Sequence, residues 1–303
     1  MEETKPDSQR AVWTVAVRPF AYPASLLPAA LGATLAWRAG FPILPGRLAL
    51  TLLGVFLFHT AANLLNDCFD YMRGTDTRAH PDSGAVVRGW IRPGQACRAA
   101  WLCFALGTLC GAALVALAGW PVLALGVLGA ALAAGYTRKR WCLKYAGLGD
   151  AAIFIAFGPL PALGAYWVQA ERFAWAPLLW SLPPACLTVG ILHANNWRDR
   201  HADALRQCRT LAGRLGERGS QRYYRLLMLC PFLLVAGGWA RYAAAVPLAE
   251  APWPLLLPLL AWPLAWRLTG RHPAQFPQQL ARTAQLQLCF STLLLVGAAL
   301  ART

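Results

Sequence analysis

The sequence predicts an all-α, polytopic membrane protein of about nine helices, and three observations carry that prediction. Of its residues 57% are apolar and only 14% charged, where a soluble chain carries about a quarter charged. The mean hydropathy is +0.42. Apolar segments of about 20 residues recur along the chain, each long enough to cross a hydrocarbon core of about 30 Å. The polar start, Met1 to Asp7, lacks the basic region and cleavage site of a secretory signal, so the first span is expected to target the chain.

The first helix is expected over 14–38, with Pro23 and Pro28 inside it, which neighbouring helices can tolerate by re-satisfying the backbone. The second covers 47–72. From Leu48 to Asp67 it climbs about 29 Å, which carries its terminal acids to the membrane surface; at mid-bilayer each would cost at least ~2.5 kcal/mol. A polar stretch over 73–94 holds Arg73, Asp76, Arg78, Asp82 and Arg88. Helices over 95–118 and 121–137 meet at Gly119-Trp120-Pro121 and are rich in small residues that let membrane helices approach closely. Next, Tyr136 to Tyr145 gathers four cations and three aromatics at one helix mouth. A fifth helix over 150–170 contains Phe157-Gly158-Pro159, where a kink is expected. The sixth covers 173–198 with Pro183-Pro184 inside, and three more follow over 221–243, 252–269 and 282–301. The chain reads as one domain over 1–303 made of two similar halves in parallel repeat, about 14–137 and 150–269, with the final helix appended.

Two polar stretches close apolar runs. The first, Asn63-Leu64-Leu65-Asn66-Asp67-Cys68-Phe69-Asp70-Tyr71-Met72-Arg73-Gly74-Thr75-Asp76, holds three of only thirteen acids in the chain. Asn63, Asp67 and Asp70 recur at i, i+4 and i+7, one helix face. The second, Asn195 to Asp203, places Asn195, Asp199 and Asp203 at i, i+4 and i+8. Asn63 to Asn195 and Asp67 to Asp199 are both 132 residues. One such cluster would pass as ordinary capping or interface charge. Two with the same Asn-x3-Asp spacing in so acid-poor a chain point to chemistry. Hard oxygens on one face suit Mg²⁺, which takes a few carboxylates together with substrate phosphate oxygens. Asn63 and Asn195 lie deeper than the acids, where a polar group is expensive; they make sense as side-chain carbonyl ligands or as orienters of the carboxylates. Substituting acids at a helix end should harm the chemistry and barely move stability.

The net charge is +15, yet its placement argues against nucleic acid. Of 28 Lys and Arg, 23 fall in alternate polar segments and only Arg38, Arg47, Arg172, Arg241 and Arg302 on the other side. That bias predicts a cytoplasmic N-terminus and cytoplasmic aspartate clusters. Arg214 and Arg218 read as charge facing anionic lipid. Arg78, Lys139, Lys144 and Arg209 are better placed for phosphate oxygens, which an Arg fork grips bidentately. The nine Cys show no CxxC pair and read as membrane-packing residues rather than disulfides or zinc ligands, with Cys68 and Cys208 set apart by their polar neighbours. His59 and His193 read as packed, hydrogen-bonded residues, and Tyr71 and Tyr136 as candidates to line a site.

Facing Mg²⁺–carboxylate sites ringed by cations suit a diphosphate, and an apolar bundle interior suits an isoprenoid tail. Asn63-x-x-Asn66-Asp67-x-x-Asp70-Tyr71-x-x-Gly74-Thr75-Asp76 resembles the first aspartate motif of the UbiA superfamily of intramembrane prenyltransferases, in particular the branch that prenylates 1,4-dihydroxy-2-naphthoate for menaquinone. Asn195-Asn196-x-Arg198-Asp199-x3-Asp203, followed by Arg209-Thr210-Leu211-Ala212 and Arg214-Leu215-Gly216, is similar to that branch's second motif. Tyr136-Thr137, Leu148-Gly149-Asp150 and Phe157-Gly158-Pro159 match its central segment. The likeness covers about 15–300. The chain departs from the branch at Ala204, Gln207-Cys208 and Arg138-Lys139, all near the loops that would close over substrate.

The resemblance implies a ring of about nine spans around a central cavity, with the active site at its cytoplasmic end in the inner membrane. It implies transfer of a polyprenyl group from its diphosphate to 1,4-dihydroxy-2-naphthoate with decarboxylation. Two Mg²⁺ ions would be held by Asn63, Asn66, Asp67, Asp70 and Asp76 on one side and Asn195, Asp199 and Asp203 on the other. Arg78, Tyr136, Lys139, Lys144, Arg198 and Arg209 would bind the diphosphate substrate, with Asp67, Asp70, Asp199 and Asp203 as the catalytic acids. Another superfamily acceptor (homogentisate, 4-hydroxybenzoate or a quinolone) is an alternative reading. A secondary transporter is a remote one, because transporter sites lie at the midplane on broken helices and these acids lie at one surface.

Overall fold

The structure, a computed structural model, describes residues 6, 8–72, 84–137, 142–144, 146–205, 208–247, 250–270 and 278–301, without the side chains of Asp70 and Thr137. Among the described residues the only regular secondary structure is helical, and there is no strand. The expected first helix is broken. Helix α1 (Gln9–Val17) stops at Arg18, whose left-handed backbone (φ 55) turns the chain into a 3-10 turn over Pro19–Ala21 before α2 (Pro23–Arg38). Pro23 starts α2, where a missing N–H leaves no bond unmade. Helices α3 (Pro45–Met72), α4 (Pro93–Ala118) and α5 (Trp120–Thr137) follow as expected.

The fifth expected helix divides into α6 (Gly149–Phe157) and α7 (Pro159–Ala170), since Pro159 cannot donate into the helix before it. Helix α8 (Trp175–Leu205) runs past its second motif, and α9 (Leu211–Ala243) starts ten residues before the apolar pattern, interrupted at Gly216. Near 252–269 a proline-rich stretch forms a 3-10 segment over Trp253–Ala261 and then α10 (Trp262–Thr269); α11 (Gln279–Leu300) completes the described chain. Among the described residues six helical passages are long and apolar enough to cross a membrane: α3, α4, α6 with α7, α8, α9 and α11. The all-helical membrane architecture is as expected, but the count of about nine spans is not confirmed by length and composition among the described residues: α2 has 16 residues, the apolar stretch of α5 is short and the α10 passage opens in 3-10 form.

From α2 onward successive helices touch, α11 closes on α2, and α1 packs on α3. The most extensive pairings are α3 with α4, α8 with α9, and α2 with α7. The last depends on Gly32, where a Cβ would run into the Ala162 carbonyl oxygen. One apolar core gathers Trp197, Tyr224, Leu286 and Phe290 from α8, α9 and α11. A second joins α1, the end of α3, the turn after residue 84 and the start of α4 through Val12, Ala16, Leu64, Cys68, Val86 and Ala96. Within it Cys68 and Cys97 form a disulfide, which corrects the reading of the cysteines as packing residues alone: their α3 and α4 positions meet across 29 residues of sequence, which spacing cannot reveal.

One polar staple fixes the levels of the helices. Arg47, near the start of α3, donates to the Val168 carbonyl at 3.0 Å, to Glu171 Oε1 at 2.6 Å and to the Leu117 carbonyl at 2.6 Å. Leu44 N–H reaches Gln169 Oε1 at 2.8 Å, and Trp167 Nε1 reaches the Ala118 carbonyl at 2.9 Å. The start of α3 and the turn leading into α8 therefore lie at one end of the bundle. From there Pro45 to Asp67 rises about 33 Å and Trp175 to Asp199 about 36 Å, at about 1.5 Å per residue. Both aspartate motifs come out at the opposite end, level with each other.

Candidate active site

On α3, Asn63, Asn66, Asp67 and Asp70 fall within an arc of about 100°, at about 100° per residue. Asp67 is 2% exposed. Its Oδ1 accepts from Arg18 Nη2, an ion pair that brings the α1–α2 junction onto the motif. Asn63 Nδ2 donates to the Val17 carbonyl at 3.1 Å, an arrangement that uses the amide nitrogen and not the amide oxygen. The second core, wrapped from α1 to α4, is the apolar support for this corner.

On α8 the half-buried Arg198 lies along the motif face. Its Nε donates to Asp199 Oδ1 at 2.8 Å, while Nη2 donates to Asp199 Oδ2 at 2.7 Å and to Asn195 Oδ1 at 2.7 Å. The guanidinium expected to meet a diphosphate therefore forks onto the carboxylate beside it. Asp203 lies one turn further, and its backbone carbonyl accepts from Cys208 N–H at 2.9 Å, tying the following loop to the end of α8. Thr210 then caps α9 by accepting from Gly213 N–H at 3.3 Å, and Arg209 beside it is exposed.

Tyr136 and Lys144 are brought together at the first turn of α6. A Cβ on Gly149 would stand 3.2 Å from Lys144 Cα and 3.5 Å from Tyr136 Cε2. Asp76, Arg78 and Lys139 lie outside the described residues, as does the Asp70 side chain.

A buried polar cluster escaped the sequence reading. His193 Nδ1 and Asp150 Oδ2 are 3.3 Å apart, both fully or almost fully buried, and the Tyr223 ring stands edge-on to the imidazole at 4.7 Å. By helical angle His193 is about 120–160° around α8 from Asn195 and Asp199, so this seam of α6, α8 and α9 backs the motif face. It borders a cleft of about 300 Å³ lined by Asp150, Phe154, Val189, Leu211 and Tyr223. Arg214, expected to face lipid, folds over Gly147 at the rim; a Cβ there would stand 2.8 Å from its Nε. The other histidine singled out in the sequence, His59, pairs with Ser25 Oγ at 2.7 Å, so His59 and His193 are both packed and bonded as their setting suggested. Arg18 is not singled out by the sequence; its one trait there is a cation directly before Pro19.

Among the described residues no three acidic, His or Cys side chains converge as a ready metal site. The donor chemistry nonetheless fits a divalent cation. Carboxylates and amide oxygens are hard ligands, and Asp67 and Asp199 each already hold a positive group, Arg18 and Arg198.

The model of the UbiA prenyltransferase family matches residues 25–296. UbiA prenyltransferase domain-containing protein 1 of Danio rerio is 34% identical over 301 residues, 97% of this chain and 85% of that protein; the Gallus gallus protein is 32% identical over 293 residues, 96% and 85%. A 1,4-dihydroxy-2-naphthoate octaprenyltransferase of Mycobacterium tuberculosis is 32% identical over 246 residues, 79% of this chain and 84% of that protein. Among solved structures, a UbiA homolog from Aeropyrum pernix K1 superposes with a TM-score of 0.66 over 93% of this chain and 97% of its own at 16% identity. A UbiA homolog from Archaeoglobus fulgidus bound to DMAPP and Mg²⁺ does so with a TM-score of 0.59 over 93% and 98% at 15% identity. With all but its extremities matched, an all-helical ring and two level aspartate motifs, this chain belongs to the UbiA prenyltransferase family.

Proposed function

We propose that this integral membrane prenyltransferase transfers a polyprenyl group from its diphosphate to 1,4-dihydroxy-2-naphthoate, releasing diphosphate and CO₂ and giving the reduced, quinol form of demethylmenaquinone. The observation that carries the acceptor is the likeness to the Mycobacterium tuberculosis 1,4-dihydroxy-2-naphthoate octaprenyltransferase over most of both chains. The diphosphate and Mg²⁺ are supported by the level aspartate motifs and by fold neighbours bound to DMAPP or GPP with Mg²⁺.

In this reading Asn63, Asn66, Asp67, Asp70 and Asp76 hold one ion and Asn195, Asp199 and Asp203 the other. Bound there, the ions would neutralise the departing diphosphate. Arg78, Lys139, Lys144 and Arg209 supply further positive charge to its oxygens. The C1–O bond of the prenyl diphosphate breaks and its electron pair leaves with the diphosphate. The carboxyl-bearing ring carbon attacks the allylic cation, and loss of CO₂ returns an electron pair to the ring. The Tyr136 face shields the cation from water, since a π face favours positive charge. The motif end is cytoplasmic by the cation bias, and the two halves, 14–137 and 150–269, read as a parallel repeat.

A second reading keeps the chemistry and changes the acceptor. It is favoured by the Danio rerio and Gallus gallus relatives, which match 97% and 96% of this chain against 79% for the naphthoate enzyme. Purified protein given Mg²⁺, geranylgeranyl diphosphate and carboxyl-labelled 1,4-dihydroxy-2-naphthoate should release labelled CO₂ in step with product. Prenylation of a monocyclic phenol or quinolone instead would sustain the second reading and remove the first.

A further inference from the structure

We propose that Arg18 is a diphosphate-binding residue held in reserve: it neutralises Asp67 when no metal is bound and turns to the substrate diphosphate when a divalent cation takes that carboxylate. This rests on the reading of the chain as a Mg²⁺-dependent user of prenyl diphosphate. Three features of the structure lead to it.

The first is backbone. Arg18 ends α1 in the left-handed conformation (φ 55), one of two non-glycine residues among those described to do so. A side chain there carries steric strain that glycine avoids, and helices that end this way mostly use glycine. A residue serving the turn alone needs no guanidinium. The other such residue, Glu171, is likewise placed to make an inter-helix ion pair, with Arg47. In both places a side-chain charge delivered to a neighbouring helix goes with the strained turn.

The second is unused donor capacity. Arg18 meets Asp67 through Nη2, and its Nε is buried with no hydrogen-bond partner among the described residues. A buried N–H left without an acceptor is unfavourable, and a guanidinium carries five donors suited to the oxygens of a phosphate. Swinging from one carboxylate oxygen to a diphosphate would engage more of them.

The third is the seat. Asn63 holds the Val17 carbonyl immediately before Arg18, and Val12 and Ala16 of α1 are buried against Leu64 of α3. The Arg18 backbone is thereby fixed to the motif helix, so only the side chain need move. On α8, Arg198 stands in the same relation to Asp199, but it arises from the motif itself. Arg18 reaches its acid from 49 residues away.

The test compares wild type with Arg18→Gln and Arg18→Lys, each purified in detergent and titrated with Mg²⁺ alone and then with inorganic diphosphate at saturating Mg²⁺. Binding is read by calorimetry and by the Mg²⁺-induced rise in melting temperature. With its competing cation gone, Arg18→Gln should bind Mg²⁺ several-fold more tightly and show a larger Mg²⁺-induced rise than wild type. Its affinity for inorganic diphosphate should fall about tenfold or more, the scale of a lost charged hydrogen bond. Arg18→Lys should keep the competition with Mg²⁺ and lose part of the diphosphate affinity, because it retains charge without the fork; it also decides the matter if the glutamine variant is too unstable to purify. Unchanged diphosphate affinity in both variants would overturn the proposal and leave the ion pair a structural link. Failure of wild type to bind Mg²⁺ and diphosphate at all would instead remove the reading of the site on which the proposal rests.

Discussion

Asp67 and Asp199 carry the same expected chemistry in different surroundings. The Asp67 side chain is 2% exposed and paired with Arg18, whereas that of Asp199 is 29% exposed with Arg198 forked onto it from the next residue. Either Asp→Asn change should lower turnover by ~10²-fold or more, the usual loss when a group stabilising transition-state charge is removed. Their effects on stability should diverge, against the sequence expectation that neither matters. Asp67→Asn breaks an ion pair whose carboxylate is almost fully buried and should cost about 3 kcal/mol, while Asp199→Asn, at a carboxylate 29% exposed, should cost under about 1 kcal/mol. Melting of the two metal-free variants checks this, and equal melting temperatures would contradict it. Chelation with EDTA should stop the reaction, Mg²⁺ or Mn²⁺ should restore it, and Ca²⁺ should do so poorly, because it prefers more ligands at longer distance. The acids were legible because Asn-x3-Asp repeats a helix face, a local property. Arg18 and Cys97 were not, since each meets its partner only after the chain has folded back on itself.

At the scale of the element, hydropathy located the helices and missed where they bend. The expected first helix breaks at Arg18, and α9 begins in an arginine- and glycine-rich stretch that no apolar window would include. The break at Gly158 was legible, because Gly-Pro is itself a local instruction. What composition could not give is which small residues are structural. Gly32 abuts the Ala162 backbone where α2 crosses α7, while Gly111 of α4 faces open space. Gly32→Val should therefore force the two helices apart and cost about 1–3 kcal/mol. Gly111→Ala should be neutral or stabilise by up to about 1 kcal/mol, since Ala is the better helix former. Thermal melting in one detergent separates them, and similar losses at both positions would mean that the α2–α7 contact is not the close approach described. The Asp150–His193 seam belongs to this scale too. Three helices meet at it, yet in the sequence its residues were a fragment of one motif and a lone histidine.

For the whole molecule, the question is which end faces the cytoplasm, and two independent lines bear on it. The sequence divides its cations 23 to 5 between alternate loops, an asymmetry that sets orientation in helical membrane proteins. The structure ties Arg47 and Glu171, on the cation-poor side, at one end of the bundle, and the helix lengths carry Asp67 and Asp199 to the other. Arg172 follows Glu171 at the first end, and Arg218 lies in α9 shortly after α8 has delivered its motif to the second; both are exposed. In a chain whose cysteines outside the disulfide are replaced by alanine, Arg218→Cys should react with a membrane-impermeant maleimide only once the cytoplasmic face is opened. Arg172→Cys should react in intact cells. Neither position belongs to the proposed binding machinery, so both variants should keep activity and report on a working enzyme. If position 218 reacts from outside, the cation bias has been overruled in this chain and the proposed diphosphate-binding end faces the exterior. The family assignment and the internal geometry would stand, and the proposed supply of both substrates from the cytoplasmic side would have to be given up.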